Sequence, residues 1–137
     1  MKEISIKPSN IPGSGLGLFT EENIKQGELI VMITGPRYNE EEALLLDVNG
    51  YLLDTADGSN ESIDVQGPAR FANDAFGITR IKGTVNNSAF VLYHDGKMWL
   101  EATRNIKAGQ EIFVSYGRTY WARMSRQFRL AESMIAG

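Results

Sequence analysis

A chain of 137 residues with 42% hydrophobic and 23% charged residues has the length and composition of one domain with a modest core. No apolar run approaches the roughly 20 residues that cross a bilayer, and the N-terminus lacks the layout of a signal peptide, so we expect an intracellular protein without membrane contact. The absence of cysteine excludes disulfides and zinc ribbons, a single histidine excludes a histidine metal site, and a net charge of −3 argues against direct nucleic-acid binding.

The first third of the chain predicts two strands and a long loop. Apolar and polar residues alternate over residues 4–7, as in a half-buried strand that ends at Pro8. Residues 10–17 form a glycine-rich loop, after which the apolar pattern resumes. A turn at 25–27 then leads into residues 28–33, whose unbroken apolar run is typical of a buried strand.

The middle of the chain predicts a short helix and several short strands. Asn39 followed by Glu42 resembles a capping pair that opens a helix through residue 46. A turn at 49–50 precedes a strand that begins at 51–53 and fades into an exposed polar loop at 57–62. Apolar residues 91–93 and 98–100 flank an Asp-Gly turn, which predicts a hairpin with His94 as a solvent-facing turn residue.

The last residues change to a helical period. From Tyr120, apolar residues recur at intervals of three and four, which predicts a closing helix over 120–136. No spacer divides the chain. The sequence therefore predicts a single mainly β domain over residues 1–137, with short helices, whose last helix packs on the sheet or covers a ligand.

One short phrase occurs twice. Residues 23–35 and 105–117 both read Asn-Ile-Lys-x-Gly, then a mostly apolar run, then a closing glycine, in constant register. The first copy ends with Thr34-Gly35 and the second with Tyr116-Gly117. A shared turn-and-strand scaffold therefore carries an ionisable hydroxyl in one copy only, which makes Tyr116 the first candidate for chemistry.

The glycine-rich loop has no nucleotide-binding motif. The phosphate-binding loop needs Gly-Lys followed by Ser or Thr at its end, and the dinucleotide fingerprint needs another glycine spacing and a long helix. Neither follows Gly13-Ser-Gly15-Leu-Gly17. Taken alone, this loop suits a structural turn or a binding loop equally, because glycine serves both.

Together with two further segments, the loop resembles a known family. Residues 63–73, which end in Ala-Arg-Phe-Ala-Asn73, and the later Asn87 resemble the central signature of SET-domain lysine methyltransferases, written I-D-x-x-x-x-G-N-x-A-R-F-x-N-H…P-N. Residues 100–117 resemble that family's last segment, A-T-R-D-I-x-x-G-E-E-L-x-x-D-Y-G. The absence of cysteine-rich flanking modules and the run Ser-Tyr-Gly-x-x-Tyr-Trp at 115–121 are most similar to the minimal viral-type members.

The resemblance implies a fold, a methyl donor and a site. The fold is the SET-domain β-clip, several small sheets in which the segment after Arg70 threads beneath the last segment as a pseudoknot. The donor is S-adenosylmethionine and the acceptor is a lysine of a histone tail or other basic protein. Viral-type members pair as homodimers, and a eukaryotic or viral member would work in the nucleus or on chromatin, others in the cytoplasm. By position, the implied donor-binding residues are Gly15, Leu16, Gly17, Asn73, Asp74 (through main-chain atoms) and Trp121, and Tyr116 is the catalytic tyrosine.

The sequence departs from the family pattern at three points. Asp74 stands where histidine is usual, Ser115 replaces the usual aspartate, and the zinc modules that flank many members are missing, so that the C-terminal helix has to close the site. Trp121 offers a stacking surface for adenine.

The chemistry favours an aromatic channel. A lysine amine attacks a methyl group only when neutral, and at a free pKa of about 10.4 its deprotonation at neutral pH costs roughly 4 to 5 kcal/mol. Apolar walls lower that pKa, whereas a buried carboxylate would raise it, so we expect acidic residues at the rim. Tyr51, Tyr116 and Tyr120 are the candidate walls of this channel. Their hydroxyls could orient the amine lone pair, and their ring faces could hold a methylated ammonium by cation–π attraction. The alternative for each is a role as a core aromatic residue.

Two other functions compete with the enzyme. A module with the same fold that has lost turnover would bind a basic or methylated peptide, and Asp74 is the feature that favours it. A purely structural β-rich domain would leave three ordered motifs unexplained. Retention of Tyr116 and Asn73 favours the enzyme.

Overall fold

Three small sheets make up the described part of the chain. The computed structural model describes residues 1–45, 52–55, 61–76 and 83–120, and over 116–120 it describes the backbone only. The strands are β1 (Ile4–Pro8), β2 (Leu16–Thr20), β3 (Leu29–Met32), β4 (Arg37–Tyr38), β5 (Leu52–Asp54), β6 (Ser62–Asp64), β7 (Ser88–Leu92), β8 (Met98–Ala102), β9 (Glu111–Ile112) and β10 (Val114–Tyr120), with helix α1 (Glu40–Leu45) and a 3-10 helix (Pro68–Phe71). The prediction of a mainly β fold with several small sheets and short helices is confirmed.

The sheets share one core. Their strand orders are β1-β2-β9, β10-β7-β8-β3 and β4-β6-β5, and every pairing between these strands is antiparallel except that of β10 with β7. Between them lies a cluster of buried aliphatic and aromatic side chains that includes Leu18, Ile30, Leu53, Phe90, Leu100 and Ile112. A second, smaller cluster of Ile11, Ala75 and Phe113 lies under the glycine-rich loop.

The repeated phrase pairs with itself. The main chains of Ile24 and Ile106 exchange hydrogen bonds of 2.7 and 2.8 Å. The Asn105 Oδ1 accepts the N–H of Gln26 and the Asn23 Oδ1 accepts the N–H of Ala108, both at 2.9 Å. The two copies therefore form a clasp with approximate two-fold symmetry, in which each asparagine holds the other copy's turn.

The strands that flank the clasp follow the same symmetry. Strand β2 precedes the first copy and pairs with β9 inside the second, whereas β8 precedes the second copy and pairs with β3 inside the first. Gly27 and Gly109 occupy equivalent turn positions, both at φ 89°, a conformation that favours glycine. The clasp thus joins the first sheet to the second.

Most of the local predictions are confirmed. The Asn39 Oδ1 accepts the N–H of Glu42 at 2.8 Å and the Glu42 Oε1 accepts the N–H of Asn39 at 3.0 Å, which is the reciprocal cap predicted for α1. The hairpin of β7 and β8 closes through Tyr93 and Lys97, with Gly96 at φ 83°.

Two predictions of strand and helix extent are wrong in detail. The run at 28–33 was predicted to be an unbroken buried strand, but β3 covers only Leu29–Met32, its pairing shifts register between Leu29 and Val31, and Met32 is exposed. Strand β10 includes Tyr120, where the predicted closing helix starts, because the last segment continues its pairing with β7. The rest of that helix, the turn at 49–50 and most of the 57–62 loop lie outside the described residues.

Among the helices of the described residues, none has the length and apolar character to cross a bilayer.

Candidate active site

The glycine-rich loop folds back on itself beside β2. The N–H of Ser9 donates to the carbonyl of Gly15 at 2.8 Å, and the N–H of Ser14 donates to the carbonyl of Ile11 at 3.2 Å. Gly13 and Gly15 have φ values of 80° and 66°, a region that side chains rarely adopt. Within the described chain the N–H of Gly15 donates to no acceptor, so this turn presents an open donor.

A buried carboxylate fixes the loop from below. Glu111 begins β9, is only 3% exposed, and faces the loop. Its Oε2 accepts the Ser9 hydroxyl at 2.7 Å, and its Oε1 accepts the N–H of Asn10 at 2.8 Å. A buried charge is tolerated when donors surround it, and here the donors come from the loop itself. Glu111 therefore ties residues 9 and 10 to the second copy of the repeat.

Gly17 is required by contact rather than by its backbone angles. A Cβ built at this position would lie 2.3 Å from the Oε2 of Glu111 and 3.2 Å from the Cβ of Ser9. No side chain fits there while the carboxylate keeps its place. The loop glycines thus serve two purposes, since Gly13 and Gly15 supply unusual angles and Gly17 supplies room.

Asn73 connects the loop to the last segment. Its Nδ2 donates to the carbonyl of Leu16 at 3.0 Å and to the Oε2 of Glu111 at 3.3 Å, and its main-chain carbonyl accepts the N–H of Val114 at 2.9 Å. Because both side-chain partners are acceptors, the amide has one orientation, with its oxygen turned away from them. No described residue donates to that oxygen, so Asn73 presents an acceptor.

Asp74 has a structural role in addition to its place in the motif. Its Oδ1 accepts the N–H of Phe76 at 2.9 Å and the Nδ2 of Asn86 at 3.0 Å. The Asn86 Oδ1 in turn accepts the N–H of Ala75 at 2.8 Å. In the described part of the chain the main-chain N–H and C=O of Asp74 form no hydrogen bond, which leaves both open to a ligand.

The backbone of Tyr116 lies in an irregular stretch of β10. Val114 pairs with Ser88 and Thr119 with Phe90, so five steps along β10 match two steps along β7. Extra residues in one strand form a bulge, a device that re-aims side chains and is frequent beside active sites. Tyr116 follows Val114 by two residues, about 7 Å of extended chain from the hydrogen bond to Asn73.

The structure brings five of the predicted residues together. The side chains of the other four lie outside what it describes. Gly15, Leu16, Gly17, Asn73 and Asp74 form one connected group. Tyr116 and Tyr120 belong to β10 by their backbone. Tyr51 and Trp121 lie outside the described residues.

Several residues of this site form contacts that the sequence did not predict. The sequence patterns do not single out Ser9 or Asn86, and they assign no role to Glu111, which lies within the motif at 100–117. One signal was available in the repeat, because Glu111 stands where the first copy has the apolar Leu29. Across the described residues, no group of three acidic or histidine side chains is placed to hold a metal ion.

Comparison with known families agrees with this arrangement. Residues 15–117 match the SET domain family, from the glycine-rich loop to the glycine after Tyr116. The chain belongs to the SET domain family. The histone-lysine N-methyltransferase EZH2 of Chaetomium thermophilum is 24% identical over 140 positions, which cover 87% of this chain and 8% of that protein.

Solved structures share the SET fold with this chain. A humanized mutant of the Chaetomium thermophilum Polycomb Repressive Complex 2 bound to the inhibitor GSK126 aligns with a TM-score of 0.69 at 24% identity, covering 85% of this chain and 15% of that one. The ctPRC2 structure in an autoinhibited conformation bound to S-adenosylmethionine aligns at 0.67 and 23%, with the same coverage. This SET domain spans less than a sixth of the length of these relatives.

Proposed function

We propose that this SET domain transfers a methyl group from S-adenosylmethionine to a lysine side chain of a histone or another basic protein. One observation carries the proposal. Asn73 bonds to Leu16 of the glycine-rich loop through its side chain and to Val114 of the Tyr116 strand through its main chain. The three motifs that resemble the family thereby converge on one residue.

The open polar groups suit the amino-acid end and the base of the donor. The Asn73 side-chain oxygen is an acceptor, so it matches an ammonium and not a carboxylate. The open N–H of Gly15 matches the carboxylate. The main-chain N–H and C=O of Asp74 match the acceptor and donor atoms along an adenine edge. Trp121 would cover the base from the C-terminal segment, which we propose closes the site as a helix.

Tyr116 is the proposed catalytic residue. The bound donor supplies a methyl group on a positively charged sulfur, which a neutral amine accepts. The protein has to favour that neutral amine, whose formation from a free lysine costs roughly 4 to 5 kcal/mol at neutral pH. A phenol hydroxyl in an apolar channel would orient the lone pair without adding charge, and Tyr51 and Tyr120 would supply the other walls.

Charge supports a basic protein substrate. The chain carries a net charge of −3, and α1 begins with Glu40, Glu41 and Glu42, all exposed. An acidic surface raises the local concentration of a basic tail. A histone tail would place the work of this domain in the nucleus or on chromatin. Pairing of two chains is a proposal that rests on the resemblance to the viral-type members alone.

The rival is a SET-like module that binds a basic or methylated peptide without turnover. Asp74, in place of the usual histidine, was its main support. The hydrogen bonds from Phe76 and Asn86 give that carboxylate a local role that leaves its main chain open. The departure from the family pattern is therefore compatible with donor binding.

Labelled donor and a panel of histone and basic proteins test the proposal, with the modified residue located by mass spectrometry. We expect label on lysine with the parent and with Tyr38→Phe, a control on β4 whose hydroxyl forms no hydrogen bond within the described chain. Tyr116→Phe should transfer little or nothing yet bind S-adenosylhomocysteine within a few-fold of the parent. Asn73→Ala should weaken that binding. Equal transfer by Tyr116→Phe and the parent would refute the role of Tyr116.

A further inference from the structure

At the first copy of the repeat, two carboxylates hold one lysine. The ammonium of Lys2 lies 2.9 Å from the Oε2 of Glu28 and 3.7 Å from the Oε1 of Glu22. The Oε1 of Glu28 also accepts the N–H of Lys25 at 2.7 Å, which holds this side chain against the turn of the first copy. This end of the clasp is therefore a cation site that the N-terminal segment fills.

The second copy has a different charge at the equivalent positions. In the constant register of the repeat, Arg104 corresponds to Glu22 and Gln110 corresponds to Glu28. The contact with the turn is kept, because the Oε1 of Gln110 accepts the N–H of Lys107 at 2.8 Å. The guanidinium of Arg104 and the Nε2 of Gln110 have no partner within the described chain. A cation and an amide donor thus replace the two carboxylates, and nothing described fills the place between them.

These groups line a polar pocket. The pocket has a volume of about 470 Å³ and lies between the turn of the second copy, Asn10 and residues 83–85, which precede β7. Asn105 also lines it, and its Oδ1 accepts the N–H of Gln26. The Nδ2 of Asn105 therefore resembles the Nε2 of Gln110, since each is a donor with no acceptor in the described part of the chain.

The accessible charge of this pocket is positive. Glu111 belongs to the lining, but its carboxylate is 3% exposed and both of its oxygens accept hydrogen bonds from residues 9 and 10. Arg104 is exposed and forms no ion pair among the described residues. Arg104, Asn105 and Gln110 together present charged and neutral N–H donors, which are the groups that bind carboxylate and phosphate oxygens.

We propose that this pocket is a second binding site of the domain, which holds an acidic side chain of a partner peptide, either a carboxylate or a phosphate monoester. The site is separate from the candidate active site, because neither the glycines of the loop nor Asn73 nor Asp74 lines it. It therefore adds an interaction with an acidic partner to the proposed reaction on a basic one.

The size and lining of the pocket favour a peptide as the occupant. Its volume lies within the range of about 300–1,000 Å³ of pockets that hold small organic molecules, so a single oxyanion would leave most of it empty. Gly83 lines the pocket with main-chain atoms, whose N–H and C=O form no hydrogen bond within the described chain and match the amides of a peptide. One exposed cation, Arg104, suits one acidic group, whereas a nucleic acid requires several.

Nuclear magnetic resonance titrations of the full chain test this proposal. The side-chain N–H signals of Arg104, Asn105 and Gln110 report on the pocket directly. The probes are the N-acetyl N-methylamides of glutamate and phosphoserine, with the lysine derivative, inorganic phosphate and a single-stranded oligonucleotide for comparison. We expect saturable shifts of all three signals with at least one acidic probe and none with the lysine derivative. The acidic probe with the lower Kd identifies the oxyanion as a carboxylate or a phosphate.

Two variants remove donors from the pocket and keep the turn. Gln110→Glu retains an oxygen for the N–H of Lys107, as Glu28 does in the first copy, but replaces the amide donor by a carboxylate. Arg104→Gln removes the cation. Each should raise the Kd of the responding probe by at least about tenfold and leave the melting temperature unchanged. Gln66→Glu, at an exposed glutamine outside the pocket, makes the same change of charge and should not alter the titration.

Four results would overturn the inference. The first is the absence of saturable shifts with both acidic probes, and the second is an equal Kd in the parent, Arg104→Gln and Gln110→Glu. Shifts with inorganic phosphate but with neither peptide-like probe would show an adventitious ion only. An oligonucleotide that saturates the signals at lower concentration than either acidic probe would replace the peptide by a nucleic acid. All of these titrations are made without methyl donor, so their failure leaves the proposed function standing.

Discussion

Gly17→Ala is the substitution whose effect the structure defines best. The added methyl group would lie 2.3 Å from the Oε2 of Glu111, whereas ordinary van der Waals contact begins at 3.4 Å. The carboxylate would have to move by about 1 Å, because the methyl group is fixed to the backbone of β2. Glu111 has little freedom to move, since Ser9, Asn10 and Asn73 all donate to it.

The expected cost follows from those donors. A hydrogen bond to a charged group contributes about 1.5–3 kcal/mol, and the two that end on Oε2 come from Ser9 and Asn73. Loss of the 2.7 Å bond and weakening of the 3.3 Å bond should lower the free energy of unfolding by about 3 kcal/mol. For a domain of this size, that corresponds to a fall in Tm of roughly 10 °C. Donor affinity should fall as well, because the same bonds hold the loop.

A second substitution provides the control. Glu111→Asp shortens the side chain by one carbon–carbon bond, about 1.5 Å, which makes room for the methyl group. Thermal unfolding and calorimetry with S-adenosylhomocysteine on both single variants and the double variant form a cycle. The double variant should be more stable than the two single effects predict, by at least about 1 kcal/mol. Strict additivity, or a Gly17→Ala variant with the parent's Tm, would refute the contact as the reason for this glycine.

Further predictions concern the clasp. Asn23→Ala and Asn105→Ala each remove one acceptor of a main-chain N–H at 2.9 Å, so urea denaturation should show similar losses of about 1 kcal/mol; a large difference would contradict the two-fold relation. Glu28→Gln should reduce the loss of stability in acid. The N–H of Lys25 and then the ammonium of Lys2 hold the pKa of Glu28 below its ordinary 4.5, so its contribution is present above that pH and disappears as the pH falls through the lowered value. Melting temperatures of parent and variant should therefore converge in acid, and parallel pH curves would be the contrary result.

Features that depend on neighbours in sequence were predicted well. The cap at Asn39 and the hairpin at Gly96 each require a few adjacent residues of the right type. The turns at Gly27 and Gly109 were visible for the same reason. The sheet composition and the family followed from motifs that cover most of the chain.

Features that depend on distant partners were not predicted. Glu111 receives hydrogen bonds from Ser9 and Asn73, which are 102 and 38 positions away, and no local pattern encodes such contacts. The register shift between Val114 and Thr119 likewise arises from pairing with β7. The pairing of the two Asn-Ile-Lys-x-Gly copies with each other was also missed, because a repeat shows similarity and not adjacency.

Two differences between the copies fall beside the candidate site. The clasp relates Leu29 to Glu111 and Thr34 to Tyr116. At the first of these positions the second copy has a carboxylate in place of an apolar residue. At the other it has a phenol in place of a small hydroxyl. Neither difference is required by the hydrogen bonds of the clasp, because those bonds are formed by Asn23 and Asn105. The changes fall on the segment that Asn73 joins to the glycine-rich loop. A symmetric scaffold thus keeps two sheets in register, and Glu111, which breaks its symmetry, contacts Asn73 of the candidate active site.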